Sequence, residues 1–185
     1  KDDEDDAKVD QMVRIIQYLK TLPVKTVSID KVEADDIIAY LSKSVINHPK
    51  DKSFIISSDK DFLQLVSENV IVYRPMEKEY YTPKTVIDKY KISPHNFILH
   101  KTLLGDNSDK IKGVKGLGEK GLLKKFPELI KKDMNWNDIL DICENKMSDH
   151  AVYARIIHGQ SDLEKNYKIM DLSNPMLSKK DKEWL

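Results

Sequence analysis

Residues 105–121 have the sequence GDNSDKIKGVKGLGEKG, which combines two features that rarely occur together. The first is a pair of acidic residues, Asp106 and Asp109. Their spacing of three predicts that one helical turn places both carboxylates on one face. The second is a glycine-rich hairpin at residues 113–118, whose backbone N–H groups can approach a phosphate closely. The stretch therefore predicts a metal-holding pair beside a clamp for a DNA backbone.

Two literal motif matches in this stretch have weak support. Residues 116–121 spell G-x-G-x-x-G, the dinucleotide-binding fingerprint. That motif needs a preceding strand, and the residues before it are charged and show no strand pattern, so we disfavour it. The spacing of Gly113 and Gly118 suggests a P-loop, but Glu119 stands where that loop has lysine. The P-loop interpretation is therefore excluded.

The composition bounds the class of protein. The chain has 185 residues, 34% of them charged, and no apolar run long enough to span a membrane. Its acidic start lacks the apolar segment of a signal peptide, and the single cysteine, Cys143, excludes an internal disulfide. We therefore expect a soluble protein in a reducing, cytoplasmic compartment.

Basic residues are concentrated in one part of the chain although the net charge is zero. Residues 101–132 contain nine lysines and four acidic residues, a local excess of five positive charges. Such a patch beside a phosphate-binding loop favours a polyanionic partner. A charge run considered alone also leaves open a solvated lysine-rich face.

The hydrophobic pattern predicts an α/β part at residues 1–81 and an all-helical part at residues 82–185. Alternating strands and helices are typical of an α/β sheet. The α/β part is predicted to contain a helix at 6–20, a strand at 24–29, a helix at 30–47, a buried parallel strand at 53–58, a short helix at 62–66 and a strand at 70–73. The helical part is predicted to contain helices at 82–90, 94–104, 118–126, 135–145, 149–158 and 160–171.

Seven acidic residues form three clusters at the start of the second helix, after the 53–58 strand and in residues 105–109. These residues are Glu33, Asp35 and Asp36, then Asp59 and Asp61, then Asp106 and Asp109. Two clusters lie where open α/β sheets bind ligands. Singly, each has a structural explanation: favourable charge at a helix N-terminus, an N-cap, or a turn. Together, seven converging carboxylates would repel one another, and divalent cations relieve that repulsion.

Other kinds of site find little support in the sequence. The five histidines have neither zinc-like spacing nor cysteine partners, which disfavours a zinc site. Residues 106–113 lack the ligand spacing of an EF-hand loop. Ser57 and Ser58 have no histidine placed by sequence to activate them, so a nucleophilic triad is not supported.

Three segments in this order closely resemble the 5′-nuclease family. They are EADD at 33–36, SDKDF at 58–62, and GDNSD at 105–109 followed by GVKGLG at 113–118. The family includes flap endonucleases, the 5′–3′ exonuclease domain of bacterial DNA polymerase I, and phage exonuclease/ribonuclease H enzymes. The resemblance runs from about Val9 to about Leu172. It implies a PIN-like α/β domain with a parallel sheet, followed by a helical domain with a helix–three-turn–helix motif at about residues 105–126.

The resemblance also implies a site and a chemistry. Two Mg²⁺ ions, replaceable by Mn²⁺, would hydrolyse phosphodiesters to a 5′-phosphate and a 3′-hydroxyl. By position, the first ion would be served by Glu33, Asp35 or Asp36, and Asp59, and the second, partly through water, by Asp61, Asp106 and Asp109. The residues implied to bind DNA phosphates are Lys112, Gly113, Val114, Lys115, Gly116, Leu117, Gly118 and Lys120. In family members this loop often holds K⁺ through main-chain carbonyls.

The chain departs from the family at its start. The early strand with its metal-binding Asp, and the helical arch, have no counterpart in the numbered sequence. We therefore expect an N-terminally incomplete sheet in a truncated, cleaved or partial nuclease.

The expected partner is duplex or flap DNA, or an RNA–DNA hybrid. We expect no membrane contact and a monomer in a bacterial or phage-infected cell. The alternative is a non-catalytic duplex-DNA-binding module or an inactive nuclease fragment. A single-stranded RNA nuclease of the wider PIN group would not explain the glycine hairpin.

Overall fold

The computed structural model describes the backbone of residues 2–185 and the side chains of residues 7–185. The chain forms two units. One consists of the residues up to Val32 together with Ser178–Leu185, and the other is Glu33–Leu177. Within the described part of the chain, no helix has the length and apolar character needed to cross a membrane.

The first unit contains two helices and a segment without regular secondary structure. Helix α1 (Asp2–Thr21) confirms the predicted amphipathic helix and ends before Pro23, whose ring is incompatible with a helix interior. In this irregular segment, the Lys25 ammonium lies 5.8 Å from the centre of the Trp184 ring and 3.4 Å from a backbone oxygen of Leu185. Trp184 ends the last helix of the chain, Lys179–Trp184, which begins with a capping box.

The predicted strand at residues 24–29 is wrong. These residues have no regular secondary structure and pair with no strand in the described part of the chain. Alternating β-branched residues favour an extended backbone, whereas a strand also needs a neighbour that completes its hydrogen-bond ladder. Val24 is 52% exposed, so this segment also lacks the burial that fixes a strand register.

The second unit begins with the α/β part. Helix α2 (Ala34–Ser44) starts later than predicted, because Lys31 adopts a positive φ of 61° in a turn before it. Strands β1 (Ser53–Ile56), β2 (Val70–Arg74) and β3 (Glu79–Tyr81) form a sheet in that order, with β1 parallel and β3 antiparallel to β2. A 3₁₀ helix, Asp61–Leu65, follows β1.

The sheet differs from the predictions in two respects. Strand β3 was not predicted, because three residues are too few to show a clear alternation. Strand β1 was predicted to be buried, but only Ile55 is buried, whereas Phe54 and Ile56 are 55% and 71% exposed. Phe54 contacts the Tyr80 ring edge-on, with the ring centroids 6.3 Å apart. The sheet therefore has one covered face and one exposed apolar face.

The rest of the second unit is mainly helical, although the prediction of an all-helical part is wrong at a two-stranded hairpin of residues 105–112. A 3₁₀ turn, Pro94–Asn96, precedes the helix at Phe97–Leu104. The short helix at Glu128–Lys131 was not predicted. The helices are α3 (Pro83–Tyr90), α4 (Phe97–Leu104), α5 (Glu119–Lys125), α6 (Glu128–Lys131), α7 (Trp136–Asn145), α8 (Ala151–His158) and α9 (Gln160–Met170).

A small antiparallel hairpin, β4 (Gly105–Asp106) and β5 (Ile111–Lys112), connects α4 to the glycine-rich loop. It replaces the helical turn predicted for Asp106 and Asp109, so that prediction is wrong. The Asp106 carboxylate accepts hydrogen bonds from the N–H and hydroxyl of Ser108, and Lys110 has a φ of 58°. An Asp side chain that bonds its own backbone two residues on competes with helix formation.

A buried asparagine, Asn96, links the start of α4 to the residues around α6 by hydrogen bonds. The Asn96 side chain donates to the backbone oxygens of Leu129 at 2.9 Å and Lys132 at 2.8 Å. Its oxygen accepts the Met134 N–H at 2.8 Å. Asn96 is 0% exposed, and buried polar groups stabilise a fold only when they are paired in this way.

Candidate functional site

The predicted acidic residues meet in the second unit. Six of the seven line one cleft of about 370 Å³: Glu33, Asp35, Asp36, Asp59, Asp61 and Asp109. They come from the N-terminus of α2, the residues after β1, and the turn of the β4–β5 hairpin. The residues after β1 thus lie at the carboxyl end of a parallel strand, where ligands bind in sheets of this class.

Asp61, Asp106 and Asp109 form the tightest group. One carboxylate oxygen from each lies within 4.8 Å of the other two, and no other such set of three acidic, histidine or cysteine residues occurs in the part of the chain that the structure describes. The Asp61 and Asp106 side chains are 14% and 17% exposed. Because carboxylate oxygens are the ligands that hard divalent cations prefer, this group could hold one such ion.

The other four acids line the cleft without forming a comparable group. Glu33 and Asp59 are exposed, and Asp59 accepts the Asp61 N–H at 2.8 Å in a tight turn after β1. Asp36 is buried, and its carboxylate accepts the Met176 N–H at 2.8 Å. One oxygen of Asp36 is thus already used within the fold.

The charges in the cleft disfavour an ionised carboxylate. Burial raises the pKa of Asp35, and the neighbouring charges of Asp59, Glu33, Asp36 and Asp109 raise it further. Like charges in proximity oppose ionisation, and a bound cation reverses that effect. The cleft is therefore electrostatically suited to a cation.

Lys101 is a component of the site that the sequence analysis missed. It is buried in α4, 7% exposed, and its ammonium donates to Asp61 and, at 2.6 Å, to Asp106. Burial acts to raise the pKa of Asp106, but hydrogen bonds from Lys101 and Ser108 outweigh it and hold that pKa well below its usual value. The available signal was a lysine among the apolar residues of α4, five positions before Asp106.

A second cleft, of about 650 Å³, shares Asp59 and Asp61 with the first. Its other lining residues include basic and aromatic side chains: Lys60, Arg74, Tyr90, Phe97, His100 and Lys101. His100 stacks on Phe97 with the ring centroids 5.5 Å apart, and burial lowers the pKa of His100. Basic and aromatic groups thus adjoin the acidic group.

The glycine-rich loop, residues 113–118, is anchored by its two apolar residues. Val114 and Leu117 are buried, and their N–H groups donate to the backbone oxygens of Leu103 at 2.8 Å and Val114 at 3.1 Å. These two predicted DNA-binding residues therefore anchor the loop. A Cβ on Gly113 would lie 2.1 Å from the carbonyl carbon of Leu104, so only glycine fits there.

The exposed side of the loop carries the predicted lysines and free backbone donors. Lys112, Lys115 and Lys120 are exposed. Within the described residues, the N–H groups of Lys115, Gly116 and Gly118 donate to no protein acceptor. The loop thus combines ammonium groups with unpaired amide donors, the combination that phosphate contacts use.

Two side chains that the sequence analysis missed donate hydrogen bonds to backbone carbonyls in and next to the loop. The Arg155 guanidinium of α8 donates to the Lys115 carbonyl at 2.9 Å, and the Asn166 amide of α9 donates to the Lys112 carbonyl at 3.3 Å. Gly116 has a φ of 80°, and a Cβ there would lie 3.1 Å from the Arg155 guanidinium. No local pattern marks Arg155 or Asn166, because they lie 40 and 54 residues from the carbonyls they contact.

Known proteins with related sequences are nucleases and DNA polymerases. Residues 2–91 match the family model of the 5′-3′ exonuclease N-terminal resolvase-like domain. The chain is 34% identical to a 5′-3′ exonuclease of Aquifex aeolicus over 165 residues, which is 88% of this chain and 53% of that protein. It is 36% identical to DNA polymerase I of Bacillus subtilis over 129 residues, 66% of this chain and 14% of that protein. The chain thus spans about half the length of the Aquifex protein.

Solved structures with the same fold come from bacteriophage T5. A flap endonuclease in a pseudo-enzyme–product complex with DNA and metal ions has a TM-score of 0.73 at 24% identity, over 92% of this chain and 62% of that one. A T5 5′-exonuclease with bound zinc has a TM-score of 0.73 at 25% identity over the same shares. The likeness agrees with the predicted fold of a PIN-like α/β domain followed by a helical domain. The acidic segments, the sheet and the relatives agree with one another, and they confirm the predicted resemblance to the 5′-nuclease family.

Proposed function

We propose that the chain is the metal-binding and DNA-binding part of a structure-specific 5′ nuclease. The enzyme would be a flap endonuclease or 5′–3′ exonuclease that hydrolyses phosphodiester bonds in DNA replication or repair. The observation that carries this proposal is the group of Asp61, Asp106 and Asp109, because the last two lie on the hairpin that leads directly into the glycine-rich loop. We propose residues 1–81 as the PIN-like α/β metal-binding part and residues 82–185 as the helical domain, which contains the DNA-binding motif and adds Asp106 and Asp109 to the metal site.

The donor set fits a divalent cation with an incomplete protein shell. Three carboxylates leave coordination positions for water and a substrate phosphate, the arrangement that Mg²⁺ favours. We propose Mg²⁺, replaceable by Mn²⁺, at Asp61, Asp106 and Asp109, and a second ion served by Glu33, Asp35 or Asp36, and Asp59. When bound, the ions would activate a water and neutralise charge on the phosphoryl group.

The chain's own groups position the substrate. In this proposal the N–H groups of Lys115, Gly116 and Gly118 donate to phosphate oxygens, while Lys112 and Lys120 add salt-dependent attraction. Such contacts are independent of base sequence, which suits an enzyme that recognises the form of its substrate. We propose that K⁺ binds main-chain carbonyls of the loop at residues 113–118.

The proposed substrate is duplex DNA with a 5′ flap or nick, and RNA–DNA primer hybrids are a further substrate. The chain is proposed to act as a monomer in the cytoplasm. Support for DNA as the substrate comes from the T5 enzyme, which was solved with DNA and metal ions.

Cleavage of a labelled 5′-flap duplex in the presence of Mg²⁺ tests the proposal. We expect a 5′-phosphorylated product, and we expect Asp61→Asn and Asp106→Asn each to lower the rate at least about tenfold, the minimum that loss of a residue supporting a metal site usually causes. The matched control is Asp141→Asn, an exposed acid of α7 outside both clefts, which should retain the rate.

The alternative is a non-catalytic module that binds duplex DNA. One observation favours it: Lys101 already neutralises part of the charge on Asp61 and Asp106 without any metal. This alternative predicts retained duplex affinity with neither cleavage nor Mn²⁺ binding by calorimetry. That combined result would overturn the nuclease proposal for this chain.

A further inference from the structure

Lys101 is the one buried lysine among the residues whose side chains the structure describes. A buried ammonium is costly unless it is paired, and Lys101 is paired twice. Its partners are Asp61 and Asp106, two of the three residues that form the candidate metal group. The position between these carboxylates is therefore already held by a cation that belongs to the chain.

A divalent cation in this group would use the same two carboxylates. Ligand oxygens of Mg²⁺ lie about 2.0–2.1 Å from the ion, so an ion bound by both carboxylates would lie within a few ångströms of the present ammonium position. Two cations that close repel strongly, and partial burial reduces the screening by water. The ammonium and the ion therefore cannot both occupy the space between Asp61 and Asp106.

We propose that Lys101 is an internal counter-ion that competes with the divalent cation for Asp61 and Asp106. This inference rests on the proposed function for the existence of a metal site, and it adds a regulation of that site. Metal affinity is held down while the ammonium remains between the carboxylates, and it rises when the ammonium moves away.

The displaced Lys101 ammonium would move into the second cleft, which Lys101 already lines. Lys101 lines this cleft together with Lys60 and with Arg74, whose guanidinium already pairs with Glu77 and the Ser58 carbonyl. A substrate phosphate there would therefore lie near Lys60 and Lys101. A phosphate that accepts hydrogen bonds from the Lys101 ammonium would leave the carboxylates of Asp61 and Asp106 free to bind the ion. Substrate and metal would then each raise the affinity for the other, as linkage requires.

Calorimetric titration with Mn²⁺ tests the competition. Relative to the unsubstituted chain, Lys101→Met should bind Mn²⁺ at least about tenfold more tightly, because the competing charge is gone while the carboxylates remain. Lys101→Arg keeps the charge and should bind no more tightly than the unsubstituted chain. The matched control is Lys89→Met, since Lys89 pairs with Glu79 and Tyr81 rather than with a carboxylate of the clefts.

Thermal unfolding provides a second measurement. In EDTA, Lys101→Met should unfold at a lower temperature than the unsubstituted chain, because Asp61 and Asp106 have lost their counter-ion. Mn²⁺ should raise its unfolding temperature by more than it raises that of the unsubstituted chain.

The outcomes separate this inference from the proposed function. If the unsubstituted chain and Lys101→Met bind Mn²⁺ equally, or if Lys101→Met binds it less tightly or stays unfolded in saturating Mn²⁺, competition by Lys101 is refuted while the nuclease proposal stands. If neither the unsubstituted chain nor any variant binds Mn²⁺, the metal site and the proposed function fail together.

Discussion

Replacing Asn96 with alanine should destabilise the second unit substantially without removing any group of the candidate site. The side chain makes three buried hydrogen bonds, with donor–acceptor distances of 2.8 to 2.9 Å. At about 1 kcal/mol each, their loss lowers the free energy of unfolding by about 3 kcal/mol. In a chain of this length, that corresponds to a fall of roughly 6–12 °C in the unfolding temperature.

Urea unfolding followed by circular dichroism measures this change. The matched control is Asn137→Ala, because Asn137 is exposed on α7 and its loss should change stability by no more than about 0.5 kcal/mol. A destabilisation below about 1 kcal/mol for Asn96→Ala would refute the inference that the Asn96 hydrogen bonds stabilise the packing of α4 against the residues around α6.

Three further predictions concern the charges and the loop. Asp35→Asn should stabilise the metal-free protein by about 0.5–1 kcal/mol at neutral pH, because the raised pKa of Asp35 means that its ionised form opposes folding. The gain should vanish in thermal melts as the pH falls below 3.8, where the carboxyl is protonated in both states, and a gain that persists there would contradict the charge argument. Ionised Asp106 has the opposite effect and stabilises the fold, because its pKa is lowered in the folded state. This contribution to the free energy of unfolding is present above pH 3.8 and is lost as the pH falls towards the folded-state pKa. Asp106→Asn should therefore flatten the acid limb of a curve of stability against pH. Arg155→Ala should weaken duplex affinity about three- to tenfold in fluorescence anisotropy by releasing the Lys115 carbonyl, with Lys168→Ala as the control for charge loss, and equal losses in the two variants would refute a positioning role for Arg155.

The acidic residues could be found from the sequence because their signal is local. Glu33 and Asp35 open a helix, Asp59 and Asp61 follow a strand, and residues 105–109 precede a glycine-rich loop. Topology then brings them to one cleft, because the carboxyl end of a parallel strand and the N-terminus of its neighbouring helix lie on the same side of a sheet. Residue type and order were sufficient for that inference.

Details that depend on competing local chemistry were predicted less well. The three-residue spacing of Asp106 and Asp109 suggested a helical turn, but Ser108 supplies two donors that hold Asp106 in a turn instead. The alternation at residues 24–29 suggested a strand, yet a strand depends on a partner that the segment itself does not encode. Periodicity alone contains neither piece of information.

The side chains that support the site from elsewhere in the chain could not be predicted. Arg155 and Asn166 reach the loop from α8 and α9, at sequence separations of 40 and 54 residues. Their residue types are ordinary for helix surfaces, so only the packing of these helices against the loop assigns them a role. Lys101 is an intermediate case, because a lysine in an apolar helix indicates a buried charge without naming its partner.

The most direct test of the central claim is to locate a bound ion. Crystals of the chain soaked in Mn²⁺ should show an anomalous scattering peak within coordination distance of Asp61, Asp106 and Asp109, with the Lys101 ammonium moved away from both of its present partners. A structure at saturating Mn²⁺ that shows no peak there, with Lys101 still between Asp61 and Asp106, would contradict the account.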